Sequence, residues 1–344
     1  MNLADVVCLG EALIDFVALE ACSDVGVATG FLKAPGGAPA NVAVGIARLG
    51  RTSSFLGKVG DDPFGRFLAN TFAESGVDVS GVVFDASRRT GLAFVSLTDQ
   101  GERDFCFFRN PSADRTYSES ELDLNAIDSC KAFHFGSITL IDAVASKATL
   151  AAARRARTAG KLISYDPNLR VPLWPSLPAA QKGMLRGMPL ADIVKVSEEE
   201  LAFLSSKTAT LPDACPAPEL TDQYARKLLK HFPNIAILSV TRGPNGCAWW
   251  TRTGLVGSLN GLPVQAVDTT GAGDGFVAGL LVGLLNLFST ANEPLCTAQL
   301  DQLTQSQLEK LFTRANAVGA LTTTRKGAIP ALPTAEMLDR FLAG

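Results

Sequence analysis

The sequence predicts an α/β protein, a doubly wound and mostly parallel sheet with helices on both faces, carrying a small antiparallel β lid. Three observations predict it. Short apolar runs alternate with helix-length segments along most of the chain, which is the pattern of strand–helix–strand units. One stretch, 92–109, breaks that rhythm by alternating apolar residues with others about a turn, as a hairpin does. A glycine-rich turn at 268–275 opens into ten residues, 276–285, apolar on all sides, which read as a buried helix. At 344 residues the length prior allows about two domains. We read one, 1–344, with the lid inserted as segments of about 16–33 and 90–110.

In chain order, 6–10 reads as a central parallel strand, and 11–17 continues it with Asp15 among apolar neighbours. Ala-Pro-Gly-Gly-Ala-Pro-Ala-Asn at 34–41 breaks the chain. Residues 42–49 follow as a helix that ends at Gly50, a C′ position. Residues 53–59 form a strand. Asp62 and Pro63 supply an N-cap and an N1 proline for a helix over 64–74, stopped by Gly76. The hairpin pairs 92–98 with 103–109 around Asp99-Gln100-Gly101-Glu102. Strands at 132–135, 162–165, 193–196 and 235–240 then alternate with helices at 143–159 and 222–231. Residues 205–218, rich in Ser, Thr and Pro, form a surface loop, and 262–267 reads as strand-like.

Composition narrows the function. Apolar residues at 47% and charged residues at 19% are those of an ordinary soluble globular protein. The net charge of −3 is spread without a basic block, which argues against nucleic-acid and membrane-surface roles. No apolar run reaches the roughly 20 residues that span a bilayer. The chain opens into a strand without a basic leader region, so no signal peptide is expected. Seven cysteines, an odd number without a Cys-x-x-Cys pair, suit thiols in a reducing compartment, the cytoplasm. His134 and His231 are too few for a histidine metal site, and His134, inside a strand, is expected to be a satisfied core residue.

The chemistry concentrates in a few turns. Small residues at Gly271, Ala272 and Gly273 let backbone N–H groups face a ligand, and a helix start, carrying roughly +0.5 charge, favours an anion. Asp274 beside such a site would repel the anion unless it takes a proton from the attacking group. A carboxyl with pKa about 3.9 is ionised at neutral pH and can do so. The competing reading is a turn with an N-capping Asp. A dinucleotide-binding turn fits less well, because the third glycine is misplaced and Glu293 sits in a loop. Walker-type loops are absent: Val follows Gly57-Lys58 and Leu follows Gly160-Lys161. Gly36 and Gly37 allow close backbone approach, and Asn41 offers both donor and acceptor, the mixture a sugar ring needs. A Gly-Pro helix entry explains the same residues.

Other turns are weaker alone. Phe107-Phe108-Arg109 ends the hairpin; the aromatics suggest a platform over a ligand, whereas a solvated charge is the commoner fate of such an Arg. Tyr165-Asp166-Pro167-Asn168-Leu169-Arg170 follows a strand's carboxyl end, where open α/β sheets bind ligands, but Asp-Pro-Asn is also plain turn chemistry. Ser197 with Glu200 makes a capping box. Thr241-Arg242-Gly243-Pro244-Asn245-Gly246 is a turn after a strand.

Taken together these stretches resemble the PfkB (ribokinase-like) family of sugar and nucleoside kinases. Residues 268–276 resemble its C-terminal signature, Asp-Thr-x-Gly-Ala-Gly-Asp, with Gly275 where the family most often has Ala. Residues 33–50 resemble its N-terminal signature in the form found in fructokinases, as do Gly-Glu-Ala-Leu-Ile-Asp-Phe at 10–16, the run at 107–114 and Asp-Pro-Asn-Leu-Arg with Leu173-Trp174. The resemblance covers 10–333 and implies a ribokinase-like fold. It also implies that Asp274 is the base and that Gly271, Ala272 and Gly273 form an anion hole. By the same resemblance Asp15, Gly36, Gly37, Asn41, Arg109 and Phe107 contact the sugar. Arg170 neutralises phosphoryl charge, and Asp166 and Asn168 contact phosphate or metal-bound water. Thr241, Gly243 and Gly246 form the nucleotide loop, with Asn316 on the adenine side. Glu200 stands near Mg2+ through water. Asp268 and Thr270, with carbonyls of 322–330, hold a monovalent cation such as K+ in some members. Ser197 stands where the family pattern has Asn.

The function implied is an ATP-dependent sugar kinase, most simply a fructokinase making fructose 6-phosphate. Other family kinases, for 2-keto-3-deoxygluconate, ribose or a nucleoside, remain alternatives, as does a catalytically silent regulatory member. The expected ligands are a small sugar, ATP and Mg2+. A lid sheet whose apolar face needs cover implies a homodimer through the lid.

Overall fold

Fourteen strands in two sheets carry the structure, a computed structural model describing residues 3–20, 22, 24–97, 103–288 and 295–344. The hairpin turn expected at 99–102 and the loop holding Glu293 lie outside the described residues. In chain order the strands are β1 (Val6–Leu9), β2 (Leu13–Ala18), β3 (Phe31–Gly36), β4 (Ser53–Gly60), β5 (Val77–Asp78), β6 (Val82–Asp85) and β7 (Gly91–Leu97). They continue with β8 (Arg103–Phe108), β9 (Ala132–Gly136), β10 (Leu162–Asp166), β11 (Ile193–Ser197), β12 (Ile237–Thr241), β13 (Cys247–Thr251) and β14 (Val256–Leu259).

The large sheet runs β14-β13-β12-β11-β10-β9-β1-β4-β5, with β6 also on β4. Neighbours from β5 to β12 are parallel, and β13 and β14 add antiparallel pairs at one edge. A parallel sheet covered on both faces needs strands apolar throughout, and Val6-Val7-Cys8-Leu9 is fully buried. Alternation sends Val6 and Cys8 to one apolar layer and Val7 and Leu9 to the other. The first layer includes the helices Ala38–Arg48, Ala272–Phe288 and Gln305–Thr322. The second includes Ala143–Thr158 and Pro218–His231. Asp62 caps the helix Pro63–Glu74 as expected, accepting from the N–H groups of Phe64 and Gly65 at 3.0 and 2.9 Å.

The smaller sheet has the order β3-β2-β7-β8. Its β2/β3 and β7/β8 pairs are antiparallel, and β2/β7 is parallel. It begins earlier than expected. The run 11–17 does not continue β1, because the chain breaks after Leu9 and β2 joins the lid sheet. The break has a cause: Glu11 turns inward, and its Oε1 accepts the N–H of Ala38 at 2.9 Å. That bond also satisfies the start of the helix Ala38–Arg48, which opens before the expected 42 with no side-chain cap from Gly37. Asp15 therefore belongs to the lid.

The strand expected at 262–267 is not formed. Pro263 has no N–H to give a ladder. The N–H groups of Val267 and Asp268 donate instead to the carbonyl of Thr323, at 2.7 and 3.1 Å, tying the signature turn to the helix Gln305–Thr322. No helix among the described residues is long and apolar enough to cross a membrane.

Candidate active site

Gly271 bends the chain into the helix Ala272–Phe288 with φ +79°, and a Cβ there would sit 2.6 Å from the Ala328 Cβ. Glycine is required on both counts. Asp274 follows in the first turn, 7% exposed. The Asn41 side-chain amide donates to Asp274 Oδ2 at 2.8 Å, and Asn168 Nδ2 reaches toward Oδ1 at 3.5 Å. Asn168 holds φ +52°, a left-handed conformation that Asn tolerates better than most residues. Burial raises the pKa of Asp274 above the ordinary carboxylate value, opposed by the Asn41 bond and the charges of Lys195 and Arg170.

Asp274 lines a cleft of 330 Å³ with Asn168, Arg170, Lys195, Glu200, Gly271 and Gly273. The expected base thus meets both asparagines and opens on a cavity. Among the proposed anion-hole amides, Ala272 already donates to the Thr269 carbonyl at 3.3 Å, so Gly271 and Gly273 are the better placed pair.

The cleft floor comes from strand carboxyl ends. Asp166, at the end of β10, accepts from Lys195 Nζ of β11 at 3.1 Å. Burial pushes the Asp166 carboxyl upward, helped by Glu200 and Asp274 and opposed by Lys195. Burial works against the Lys195 ammonium, but the carboxylates of Asp166, Glu200 and Asp274 outweigh it and hold its pKa above the ordinary lysine value. Glu200 does form the capping box, its Oε2 accepting the Ser197 N–H at 2.8 Å; its Oε1 accepts the Leu169 N–H at 2.7 Å. Glu200 therefore ties the Asp-Pro-Asn-Leu-Arg loop to the next helix. Arg170 stands in the cleft wall with Nη1 donating to the Leu169 carbonyl at 3.1 Å.

On the lid side, pairing sets Ala34, Asp15, Ala93 and Phe107 in one row across β3, β2, β7 and β8, hence on one face. The opposite face is aromatic: Phe16 stacks on Phe94 at 5.0 Å between centroids, and Phe31 and Phe108 meet Phe94 edge-on. Asp15 lies against Gly36, where any Cβ would collide with its carboxylate. Gly37 has φ +115°, and a Cβ there would run into the Glu11 carbonyl. Arg109 is not a solvated strand-end charge. It is buried and paired with Asp114, which also accepts from Ser112 Oγ at 2.6 Å.

A second group gathers at the β12 end of the sheet. Thr241 ends β12, and its Oγ1 donates to the Val196 carbonyl at 3.4 Å. The following turn uses Gly243 and Gly246 at φ +52° and +89°; Gly246 packs against 259–261, and Gly243 stands open. Asn316 Nδ2 donates to the Asn260 carbonyl at 2.9 Å, so it joins that turn's neighbours. Asp268 accepts from Thr270 N–H and Oγ1 at 2.9 and 2.6 Å and from the Gly327 N–H at 2.9 Å, fastening the 322–330 loop to the signature turn. His134 is the satisfied core residue expected. Its Nδ1 lies 3.0 Å from Ser164 Oγ, and burial, with Lys195 nearby, pushes its pKa down to about 3.

Sequence reasoning missed Lys195, Glu11 and Asp114. The signal for Lys195 was available: it is a lone charge in an otherwise apolar strand-like run, costly to bury without a task or a partner; Glu11 shares its run with Asp15 and stood out less. Asp114 carried no such mark.

Residues 3–335 match the pfkB family carbohydrate kinase profile. The chain is 48% identical over 337 residues to probable fructokinase-6, chloroplastic, of Arabidopsis thaliana, covering 98% of this chain and 82% of that one. A crystal structure of fructokinase with bound ATP from Xylella fastidiosa superposes with TM-score 0.86 at 34% identity over 99% of both chains. A fructokinase double mutant from Vibrio cholerae O395, in fructose, ADP and potassium ion bound form, gives 0.80 at 35% over 99% and 100%. With Asp274 held by Asn41 and Asn168 in the 268–275 turn, and the match running almost end to end, the chain belongs to the pfkB family of carbohydrate kinases.

Proposed function

We propose that this chain is a fructokinase, transferring the terminal phosphoryl group of ATP to the C6 hydroxyl of D-fructose. The observation that carries the reading is the buried Asp274 carboxylate, held by Asn41 at the start of a glycine-led helix and open to the cleft. In this reading Asp274 takes the C6 hydroxyl proton while the Gly271 and Gly273 amides receive the phosphoryl oxygens. Asp15, Gly36, Gly37, Asn41, Phe107 and Arg109 surround the sugar. Thr241, Gly243, Gly246 and Asn316 border the nucleotide. The similarity to the fructokinases of Arabidopsis, Xylella and Vibrio supports fructose as the substrate.

Mg2+ fits the donor set, since it keeps several waters and takes few protein ligands. Glu200 in the cleft wall is the carboxylate we assign to such a water, and the ion would neutralise phosphate charge. We assign a monovalent cation to the junction of Asp268, Thr270 and the 322–330 loop, which their hydrogen bonds draw together. The seven free cysteines support a reducing compartment such as the cytoplasm. The exposed Phe108 and Leu32 of the lid support a homodimer formed there.

A coupled assay with Mg-ATP against fructose, ribose, 2-keto-3-deoxygluconate and a nucleoside tests the reading. Fructose is expected to give the highest kcat/KM. A different preferred sugar removes fructokinase and keeps the kinase; no turnover with any of them removes both.

A further inference from the structure

Lys195 is a charge where a strand should have none. It sits between Val194 and Val196 in β11, 7% exposed, and both valines are fully buried. A lysine head is removed from water at a cost of several kcal/mol unless it is paired. Among the described residues Asp166 is its hydrogen-bond partner, at 3.1 Å. An ammonium has three donors, so the pair leaves donor capacity over. Asp166 Oδ1 is likewise buried without a hydrogen-bond partner among the described residues.

The ammonium also has an address. A Cβ on Gly273 would stand 2.7 Å from Lys195 Nζ, so the missing side chain is what admits the head beside the signature turn. Lys195, Gly271, Gly273 and Asp274 line the same cleft. Three carboxylates surround it, Asp166, Glu200 and Asp274, and they keep it protonated. A site holding those carboxylates and receiving a nucleotide's phosphates needs cations already in place.

We infer that Lys195 is a further catalytic residue: held by Asp166 beside Gly273, its ammonium donates hydrogen bonds to the oxygens of the phosphoryl group in transit. The inference rests on the kinase reading above. In that step the bond from the sugar oxygen to phosphorus forms, the bond from phosphorus to the ADP oxygen breaks, and the hydroxyl proton passes to Asp274. Lys195 keeps its proton throughout. Charge spread over the equatorial oxygens of the transferred group is the part of the transition state that a fixed cation stabilises. The inference also gives Asp166 a positioning task, holding Nζ against the turn. A purely structural ion pair would account for the 3.1 Å contact but not for a cation lining the cleft against the one glycine that makes room for it.

The test compares wild type with Lys195→Met and Lys195→Arg. Lys195→Met is expected to lower kcat by about 10²–10³-fold, the loss seen when one oxyanion donor is removed. KM for both substrates should change by less than about threefold, the pattern of an interaction made only in the transition state. Lys195→Arg should recover at least about tenfold of that loss. ADP with aluminium fluoride and sugar, which imitates the transferring phosphoryl, should bind wild type tightly and Lys195→Met weakly, while ADP alone binds both equally. If Lys195→Met does not fold, Lys195→Gln, which still donates to Asp166, takes its place. A folded variant with wild-type kcat overturns the inference, and so does one that only raises KM for ATP. A wild-type protein without turnover fails the kinase reading instead. If another sugar is preferred, the same comparison on that sugar decides the lysine separately.

Discussion

The side-chain amide of Asn41 donates to Asp274 Oδ2 at 2.8 Å across 233 positions of sequence. It joins the first turns of two helices packed in the same apolar layer, one from each signature. A hydrogen bond to the charged form favours that form, so Asn41 opposes the upward push that burial gives the Asp274 pKa. A general base needs the charged form.

Asp274→Ala should lower kcat by about 10²–10⁴-fold, the usual contribution of a positioned base. The fold should survive, because the change removes a buried charge rather than packing. Steady-state kinetics beside a thermal unfolding curve check both parts. Near-normal turnover in a folded variant would remove Asp274 as the base.

Asn41→Ala should move the acid limb of kcat/KM to higher pH. Burial already raises the Asp274 pKa, and losing the donor that opposes it raises it further. The base must be ionised, so activity falls as pH drops through that pKa. A pH–rate profile that keeps its acid limb in the variant removes this role for Asn41.

Much of the site was legible because each turn carries its own chemistry. The small-residue turn at 271–273, the capping Asp62 and the Ser197–Glu200 box are local, and local rules found them. What escaped depends on distant partners. Residues 11–17 have strand composition, and composition does not say which sheet a strand joins; Glu11 decides it by capping a helix 27 residues away. Leu262–Val267 is apolar enough for a strand, but the Thr323 carbonyl claims its last N–H. Lys195 is marked as a lone charge in an apolar run, but its partner is legible only once β10 and β11 pair and bring Asp166 beside it.

Gly36→Ala should weaken sugar binding selectively. Gly36 is not left-handed, so alanine is tolerated by the backbone, but its Cβ would collide with the Asp15 carboxylate. Displacing the carboxylate we assign to the sugar should raise KM for the sugar by about tenfold or more, with kcat and KM for ATP little changed. An unchanged sugar KM would separate Asp15 from the sugar site.

The lid prediction concerns Phe108, 60% exposed at the end of edge strand β8. A sheet edge with an uncovered aromatic is normally protected by a partner or by charge. Size-exclusion chromatography with light scattering should give a dimer for wild type and a monomer for Phe108→Glu. A monomeric wild type at micromolar concentration ends the proposal.

Glu11 sets a stability slope whose sign is fixed. Its carboxyl is buried, Oε2 has no side-chain hydrogen-bond partner among the described residues, and burial pushes its pKa from 4.5 up to about 7 despite its own backbone N–H, the Arg109 charge and the Ala38 N–H. Between those values the folded chain binds more protons than the unfolded one, so stability falls as pH rises. The contribution is present in full below pH 4.5, is lost as pH rises through about 7, and amounts to roughly 3 kcal/mol. His134 works in the opposite sense. Its pKa is depressed to about 3, so its contribution is present above about 6.5 and lost as pH falls. Wild type alone would show the sum, which can be nearly flat. Glu11→Gln isolates one term, because glutamine still offers an oxygen to the Ala38 N–H and cannot ionise. Urea unfolding of both proteins from pH 4.5 to 8 should show wild type losing stability relative to Glu11→Gln by about 3 kcal/mol. Parallel curves would mean that Glu11 titrates like an exposed carboxyl, and that the bond opening the helix Ala38–Arg48 is not held in a dry site.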